Sequence, residues 1–328
     1  MGHGKWKLIM IAAVALHLAV AAAGETLDKA ILDSAVWISY ETSAAKPSPG
    51  GGASTVSPAQ PPGMMYGGTG FLMFNGVGYT RAQLYLVTNK HVLPPEGRKQ
   101  DIKLRVVVRD ANGANRVENV SVPIVGDDGK YLDTVRTHPD PDTDVAAVSI
   151  TTAAFGAKFQ LLLDAIMSHR YLDMTMLMTS QKVKQREVGV GTNIYLLGYP
   201  AAIFDPRNTS AILRTGIIAT DPIEGFSFNE SLRQSMKFPE HINGFLIDAN
   251  VYPGSSGSLV VLAPDSSHSA ELSESQKVIE RRPAIMGIAS GSIPIFDPSL
   301  RSYERIGLGI VYSADTIRDV ILAFNHPR

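Results

Sequence analysis

Cysteine is absent from the 328-residue chain, and the absence removes whole classes of chemistry. A disulfide framework, a zinc–thiolate centre, a cysteine nucleophile and lipid attachment through an N-terminal Cys are all excluded. Charge of one sign is lacking too. The 30 Lys and Arg stand against 31 Asp and Glu, with no basic stripe of the kind a nucleic-acid partner needs. Only one long apolar run exists, Leu8 to Ala23, so no later segment is expected to span a bilayer. No metal site and no cofactor is expected. What the chain does have is an apolar content of 45%. That suffices for one large domain or two small ones, whose cores must stabilise the protein without covalent help.

The apolar run has the form of a targeting segment. Lys5 and Lys7 precede it, and it closes on Ala21-Ala22-Ala23-Gly24. A short basic region, an apolar stretch and small residues at an Ala-x-Ala site describe a secretory signal peptide. Cleavage after Ala23 is expected. The alternative is an uncleaved anchor, opposed by a run shorter than the roughly 20 residues a spanning helix needs and by His17 within it. The mature chain is therefore expected to be exported, periplasmic or secreted, with no membrane contact after cleavage. Its oligomeric state is left open.

Beyond the signal (1–23), three segments are expected. Residues 24–150 read as a β unit, with strands at Ala35–Tyr40, Thr69–Phe74, Leu84–Thr88, Leu104–Val108, Val117–Ile124 and Val145–Ile150. A short helix at Thr26–Leu32 opens it. A stretch rich in Ala, Pro, Gly and Ser at 43–63 cannot bury enough apolar surface to order itself and is expected to be a mobile loop. Residues 151–182 form a connector: Phe159, Leu162, Leu163, Ile166 and Tyr171 fall near helical spacing, so a helix is expected from Ala157 to about Leu172. Residues 183–328 return to strands, at Asn193–Leu197, Ala211–Ala219, Gly244–Ala249, Leu259–Leu262, Ala284–Ala289 and Leu308–Val311, interrupted by a polar loop at 263–282. A terminal helix is expected over Ile317–Phe324, with its N-cap within Ser313–Thr316. The fold class that follows is all-β, two antiparallel barrels or sandwiches packed together, with a C-terminal helix.

Within the second unit, Gly254-Ser255-Ser256-Gly257-Ser258 lies between the apolar runs Phe245–Ala249 and Leu259–Leu262. Ordinary surface turns have this composition. So does a turn that exposes a serine hydroxyl while neighbouring N–H groups converge on one point, the arrangement acyl transfer needs. The Gly-x-Ser-x-Gly elbow does not fit, because position 258 is Ser. Of eight histidines, His91 is distinctive in coming directly off an apolar strand through Asn89-Lys90. Asp144 leads straight into Val145–Ile150, with Asp140 and Asp142 as nearby competitors. His91, Asp144 and Ser256 together supply a base, an orienter and a nucleophile.

Gly68-Thr69-Gly70-Phe71, Val87-Thr88-Asn89-Lys90-His91-Val92, Thr143-Asp144-Val145-Ala146 and Gly254–Ser258, in that order, resemble the trypsin-like serine proteases, closest to their bacterial Deg/HtrA-type branch. Leu197-Gly198-Tyr199-Pro200, Arg214–Ile218, Ile285–Ser290 and Gly307–Ile310 extend the resemblance over roughly residues 30 to 325. It implies a two-barrel fold with its site in the cleft between barrels, and a serine endopeptidase working through an acyl-enzyme. It further implies an oxyanion hole from the Gly254 and Ser256 N–H groups, and an extended polypeptide substrate pairing along Ser290, Gly291 and Ser292.

The chain also departs from the pattern. Ser258 stands where Gly is more usual, as in glutamyl-endopeptidase relatives. Asn250 occupies the position of trypsin's specificity acid, so it is expected to line a substrate pocket of modest polarity rather than to select Arg or Lys. No His appears in Ser290–Ser292, and no PDZ domain is expected after residue 325. Two other functions share these features: a protease-fold protein that binds peptides without cutting them, and a small-ester hydrolase.

Overall fold

Alternate burial along the first strands decides how they assemble. In the computed structural model, Ile102, Leu104, Val106 and Val108 are buried, while Asp101 just before them and Lys103 among them are exposed. This period of two gives one face to a core and the other to water. The structure describes residues 29–41, 65–75, 83–109, 115–150, 172–263, 284–297 and 302–325. The expected signal peptide, the loop at 43–63, nearly all of the connecting helix and the polar loop after Ala263 lie outside these residues. Lys29–Leu262 and Pro283–Arg328 form one compact unit.

Helix α1 (Lys29–Ser34) leads into β1 (Ala35–Glu41), followed by β2 (Met65–Asn75), β3 (Gln83–Thr88), β4 (Gln100–Arg109), β5 (Asn115–Val125), β6 (Val135–Thr137), β7 (Ala146–Ile150) and the short β8 (Leu172–Asp173). The first seven form an antiparallel sheet in the order β5-β4-β1-β2-β3-β7-β6, with β8 parallel to β2. The sheet curls into a half-barrel around Ile38, Leu84, Leu86, Ile102, Leu104, Val122 and Ile124.

The second half contains β9 (Asn193–Gly198), β10 (Ile212–Ile218), β11 (Phe226–Ser227), β12 (His241–Ile242), β13 (Gly244–Asp248), β14 (Ser258–Leu262), β15 (Ile285–Asp297) and β16 (Ser302–Ser313). Six of them close into a barrel, β10-β13-β16-β15-β14-β9, filled by Leu196, Phe245, Ile247, Val260, Met286 and Val311. Closure leaves such a sheet without an open edge. The architecture is thus all-β with two β units and a C-terminal helix. The first unit's sheet stays open along its hydrogen-bonded path.

Several boundaries differ from those expected. Leu172, placed at the end of a helix by its spacing, pairs with Met73 as a strand residue. Strands β15 and β16 run well past Ala289 and begin before Leu308, because bulges at Ala289/Gly291 and Ser292/Pro294 let a long ribbon bend without breaking its pairing. Two helices were not foreseen, α2 (Ser180–Gln185) and α3 (Glu230–Met236). The C-terminal helix α4 (Ala314–Leu322) starts directly after Ser313, and it buries Ile317, Val320 and Ile321. Ser313 occupies its N-cap position without a side-chain cap hydrogen bond. Asp315, in its first turn, instead accepts from the Ser180 N–H (2.7 Å) and Oγ (2.6 Å), tying α2 to α4.

Candidate active site

The register of β3 on β7 brings His91 to Asp144. Thr88 pairs with Ala146 in antiparallel sense, so the residues after Thr88 and those before Ala146 leave the sheet at the same end. There Lys90–Val92 makes a single 3-10 turn that presents His91. The His91 N–H donates to Asp144 Oδ1 (3.0 Å), and Nδ1 lies 2.5 Å from Oδ2. Asn89 Nδ2 donates to the Asp144 carbonyl at 2.7 Å, fixing the backbone behind the carboxylate. Of the competing acids, the Asp140 carboxylate braces its own loop, and Asp142 reaches the second unit through its backbone carbonyl. Asp140 Oδ2 accepts from Thr143 Oγ1 (2.8 Å), and the Asp142 carbonyl accepts from the Tyr312 hydroxyl (3.0 Å).

Ser256 lies in the turn joining β13 to β14. Gly257 is required beside it: its φ is +89°, and a Cβ there would sit 1.8 Å from the Thr69 carbonyl oxygen. Ser258 fits because the strand opposite offers Gly198, where a Cβ would come within 1.9 Å of Ser258 Oγ. Ser256 Oγ donates to the Ser290 carbonyl at 2.7 Å. Ser290 Oγ in turn donates to Asp144 Oδ2 at 2.6 Å. Ser290, expected only to offer its backbone to a substrate, therefore connects the serine turn to the carboxylate. Its sequence carries no signal of this, because the contact joins residues 146 apart in the chain.

The charges are tuned by one another. Burial disfavours the His91 imidazolium, but the Asp144 carboxylate's charge and hydrogen bond outweigh it and hold the ring above the ordinary histidine range. Burial likewise pushes Asp144 up. The charge and hydrogen bond of His91 overcome it, helped by the Ser290 hydroxyl and the His91 N–H, and keep the carboxyl below its usual range. A base held by a buried carboxylate, with a serine turn joined to the same carboxylate through Ser290, supplies the groups that proton abstraction and acyl transfer need.

The remaining expected residues surround this group. Among the described residues, neither the Gly254 nor the Ser256 N–H has a protein acceptor. Beyond Ala289, strand β14 no longer accompanies β15, while Gly291 and Ser292 pair with Ile310 and Gly309 of β16. Ser290–Ser292 thus offers one edge to an added strand. Asn250 is half-buried at the start of the serine loop, its Oδ1 3.6 Å from where a Cβ of Gly307 would stand. Among the described residues no cluster of His, Asp or Glu is arranged to hold a metal ion.

The model of the trypsin-like peptidase domain family matches residues 68–265, more than half of the chain. The chain belongs to that family. It is a trypsin-like serine peptidase, and the matched stretch contains His91, Asp144 and Ser256. Solved structures similar to this peptidase include an inactive form of Rv3671c from M. tuberculosis H37Rv (13% identity over 94% of this chain and 95% of that one, TM-score 0.41). A second inactive-form structure of the Rv3671c protease gives 14% identity over 91% and 92%, also at 0.41. The thermostable serine protease AL20 from an extremophilic microorganism gives 12% over 91% and 100%, at 0.42. At these identities and scores, no residue role is carried across from them. No curated protein matches the chain by sequence.

Proposed function

We propose that this trypsin-like peptidase is an exported endopeptidase that cuts polypeptides through an acyl-enzyme. The observation that carries the reading is the unbroken chain of contacts from Ser256 Oγ through Ser290 to Asp144 and His91. Ser256 attacks the peptide carbonyl and His91 takes its proton. Asp144 fixes the ring tautomer and stabilises the imidazolium, and the Gly254 and Ser256 N–H groups hold the oxyanion. An extended substrate lies along Ser290–Ser292 with Asn250 lining its side-chain pocket. Its N–H replaces Ser256 Oγ at the Ser290 carbonyl, which frees the hydroxyl to turn to His91. The decisive experiment compares casein or fluorogenic-peptide cleavage by the mature protein and by Ser256→Ala. Turnover is expected to fall on the order of 10⁶-fold, and equal rates would rule the mechanism out.

One observation favours a second reading. Ser256 Oγ donates to Ser290 rather than to His91, as in a protease-fold protein that binds peptide without cutting it. A fluorophosphonate probe separates the two, since it labels Ser256 only where the serine is activated. Esterase activity alone would show as ester turnover without cleavage of any polypeptide. Export rests on the basic and apolar N-terminus of the sequence. N-terminal sequencing of protein recovered outside the cytoplasm should begin at Gly24.

A further inference from the structure

We propose that Thr69, a buried threonine of the first sheet, is the positioning residue that holds the oxyanion-binding N–H groups of Gly254 and Ser256 in place. The inference rests on the proposed acyl-enzyme chemistry and assigns a residue outside the base, orienter and nucleophile.

The loop carrying the serine has an unusual property: seven consecutive carbonyls, from Asn250 to Ser256, each have a donor. Arg214 Nη1 donates to Asn250 O, and Arg305 Nη1 to Val251 O at 2.6 Å. The Ser255 N–H donates to Tyr252 O (2.9 Å), the Ala201 N–H to Pro253 O (2.6 Å) and the Ser258 N–H to Ser255 O (2.9 Å). The remaining two carbonyls, of Gly254 and Ser256, both belong to Thr69. Its Oγ1 donates to Gly254 O at 2.8 Å and its N–H to Ser256 O at 2.8 Å.

A trans peptide directs its N–H opposite its C=O, so the Gly254 N–H is aimed through Pro253 O, held by Ala201, and the Ser256 N–H through Ser255 O, held by Ser258. Thr69 holds the next peptide on the far side of each residue, which keeps Gly254 and Ser256 from turning about that side. The need is greatest at Gly254. With φ at +87° and no side chain, its flanking peptide planes rotate at little cost. Ala201 fixes the plane before it and Thr69 Oγ1 the plane after it.

Thr69 also connects the two. Its Oγ1 accepts from the Tyr199 N–H (3.0 Å), at the start of the tight turn that delivers the Ala201 N–H. That turn holds Ala201 and Ala202 at φ of +52° and +57°, a left-handed pair of non-glycine residues that persists only where its surroundings over-determine it. Thr69 is itself fixed, fully buried and with its carbonyl accepting from Thr88 Oγ1 at 2.7 Å. One hydroxyl thus donates to the oxyanion turn and accepts from the strained turn beneath it.

The test compares wild type, Thr69→Val and Thr69→Ser for kcat, for KM and for inhibition by a peptide boronic acid, whose tetrahedral adduct uses the same N–H groups. Thr69→Val keeps the shape and removes the hydroxyl. It is expected to lower kcat and weaken boronate binding by about 10- to 100-fold, with KM within about two-fold, a loss confined to the transition state. Thr69→Ser keeps the hydroxyl and is expected to stay within about three-fold of wild type. Wild-type kcat in Thr69→Val, or a loss carried by KM, would overturn the proposal. So would a ten-fold or greater loss in Thr69→Ser, which decides the matter alone where Thr69→Val does not fold. A wild type that neither turns over nor is labelled by fluorophosphonate removes the acyl-enzyme reading and this role with it, an outcome distinct from equal rates in wild type and Thr69→Val.

Discussion

His91 must be neutral to accept a proton, and its pKa is held above the ordinary value near 6.5 by Asp144. The acid limb of kcat/KM is therefore expected above pH 6.5. Asp144→Asn leaves burial as the main influence on the ring, so the limb should move to lower pH while turnover falls by about 10⁴-fold. Rate profiles of the two proteins on one peptide would check this, and an unmoved limb would count against Asp144 as the orienter. The pair also links stability to pH. A raised His91 pKa stabilises the fold below about pH 6.5 and ceases to do so as pH rises through the folded value. The lowered pKa of Asp144 stabilises it above about pH 4 and ceases to do so as pH falls through the folded value. The stability gap between wild type and Asp144→Asn, from urea melts, should thus be widest at about pH 4 to 6.5. Gly257→Ala tests geometry instead of charge. With a φ of +89° and a backbone oxygen in the way of any Cβ, it is expected to cost at least about 2 kcal/mol, measurable by the same melts.

Under the proposed function, strand β15 is the element on which substrate recognition turns. It pairs with β14 only as far as Ala289 and with β16 along its length, so a peptide added at Ser290–Ser292 would gain main-chain hydrogen bonds. Methylating the substrate nitrogen that faces the Ser290 carbonyl should lower kcat/KM about ten-fold or more, the worth of one such bond. Equal kcat/KM for matched peptides with and without the methyl group would place the substrate elsewhere. This strand also marks the limit of what the sequence makes legible. Its first five residues, Ile285–Ala289, are an apolar run bounded by a turn signal and read plainly as a strand. Gly291, Ser292 and Pro294 read as loop residues, and only the two bulges keep them in the ladder. Strands with clear alternation, such as Gln100–Arg109, were legible for that reason. Helix Glu230–Met236 was not: Met236 is its one buried residue, so it has no apolar stripe, and its signal is the Asn229 cap accepting from the Leu232 N–H at 3.0 Å. At the site, His91, Asp144 and Ser256 were visible because each sits at the end of an apolar strand. Thr69 and the Ser290 hydroxyl were not, since their contacts span 185 and 146 residues.

At the scale of the molecule, one of the junctions between the two β units is built on an aromatic residue. The Tyr199 ring lies edge-on to Trp37 of β1, centroids 5.9 Å apart, and its hydroxyl is 3.0 Å from Ala35 O and 2.8 Å from Thr209 O. Phe204 of the same loop sits under the Arg105 guanidinium of β4, and Arg105 Nη2 donates to Pro206 O at 3.0 Å. With Thr69 joined to Tyr199 as well, separating the units would disrupt this junction and the serine turn together. Of the two tryptophans, Trp6 and Trp37, a chain beginning at Gly24 keeps only the second, so its fluorescence reports on this junction alone. Trp37 fluorescence, far-UV circular dichroism and peptidase activity should then be lost in one coincident urea transition. Tyr199→Phe leaves the Ala35 and Thr209 carbonyls without this buried donor and should lower stability by about 1–3 kcal/mol. All three curves should shift together. A Trp37 transition that precedes the dichroism change would mean that the units part before either unfolds, and that the junction is weaker than its contacts imply.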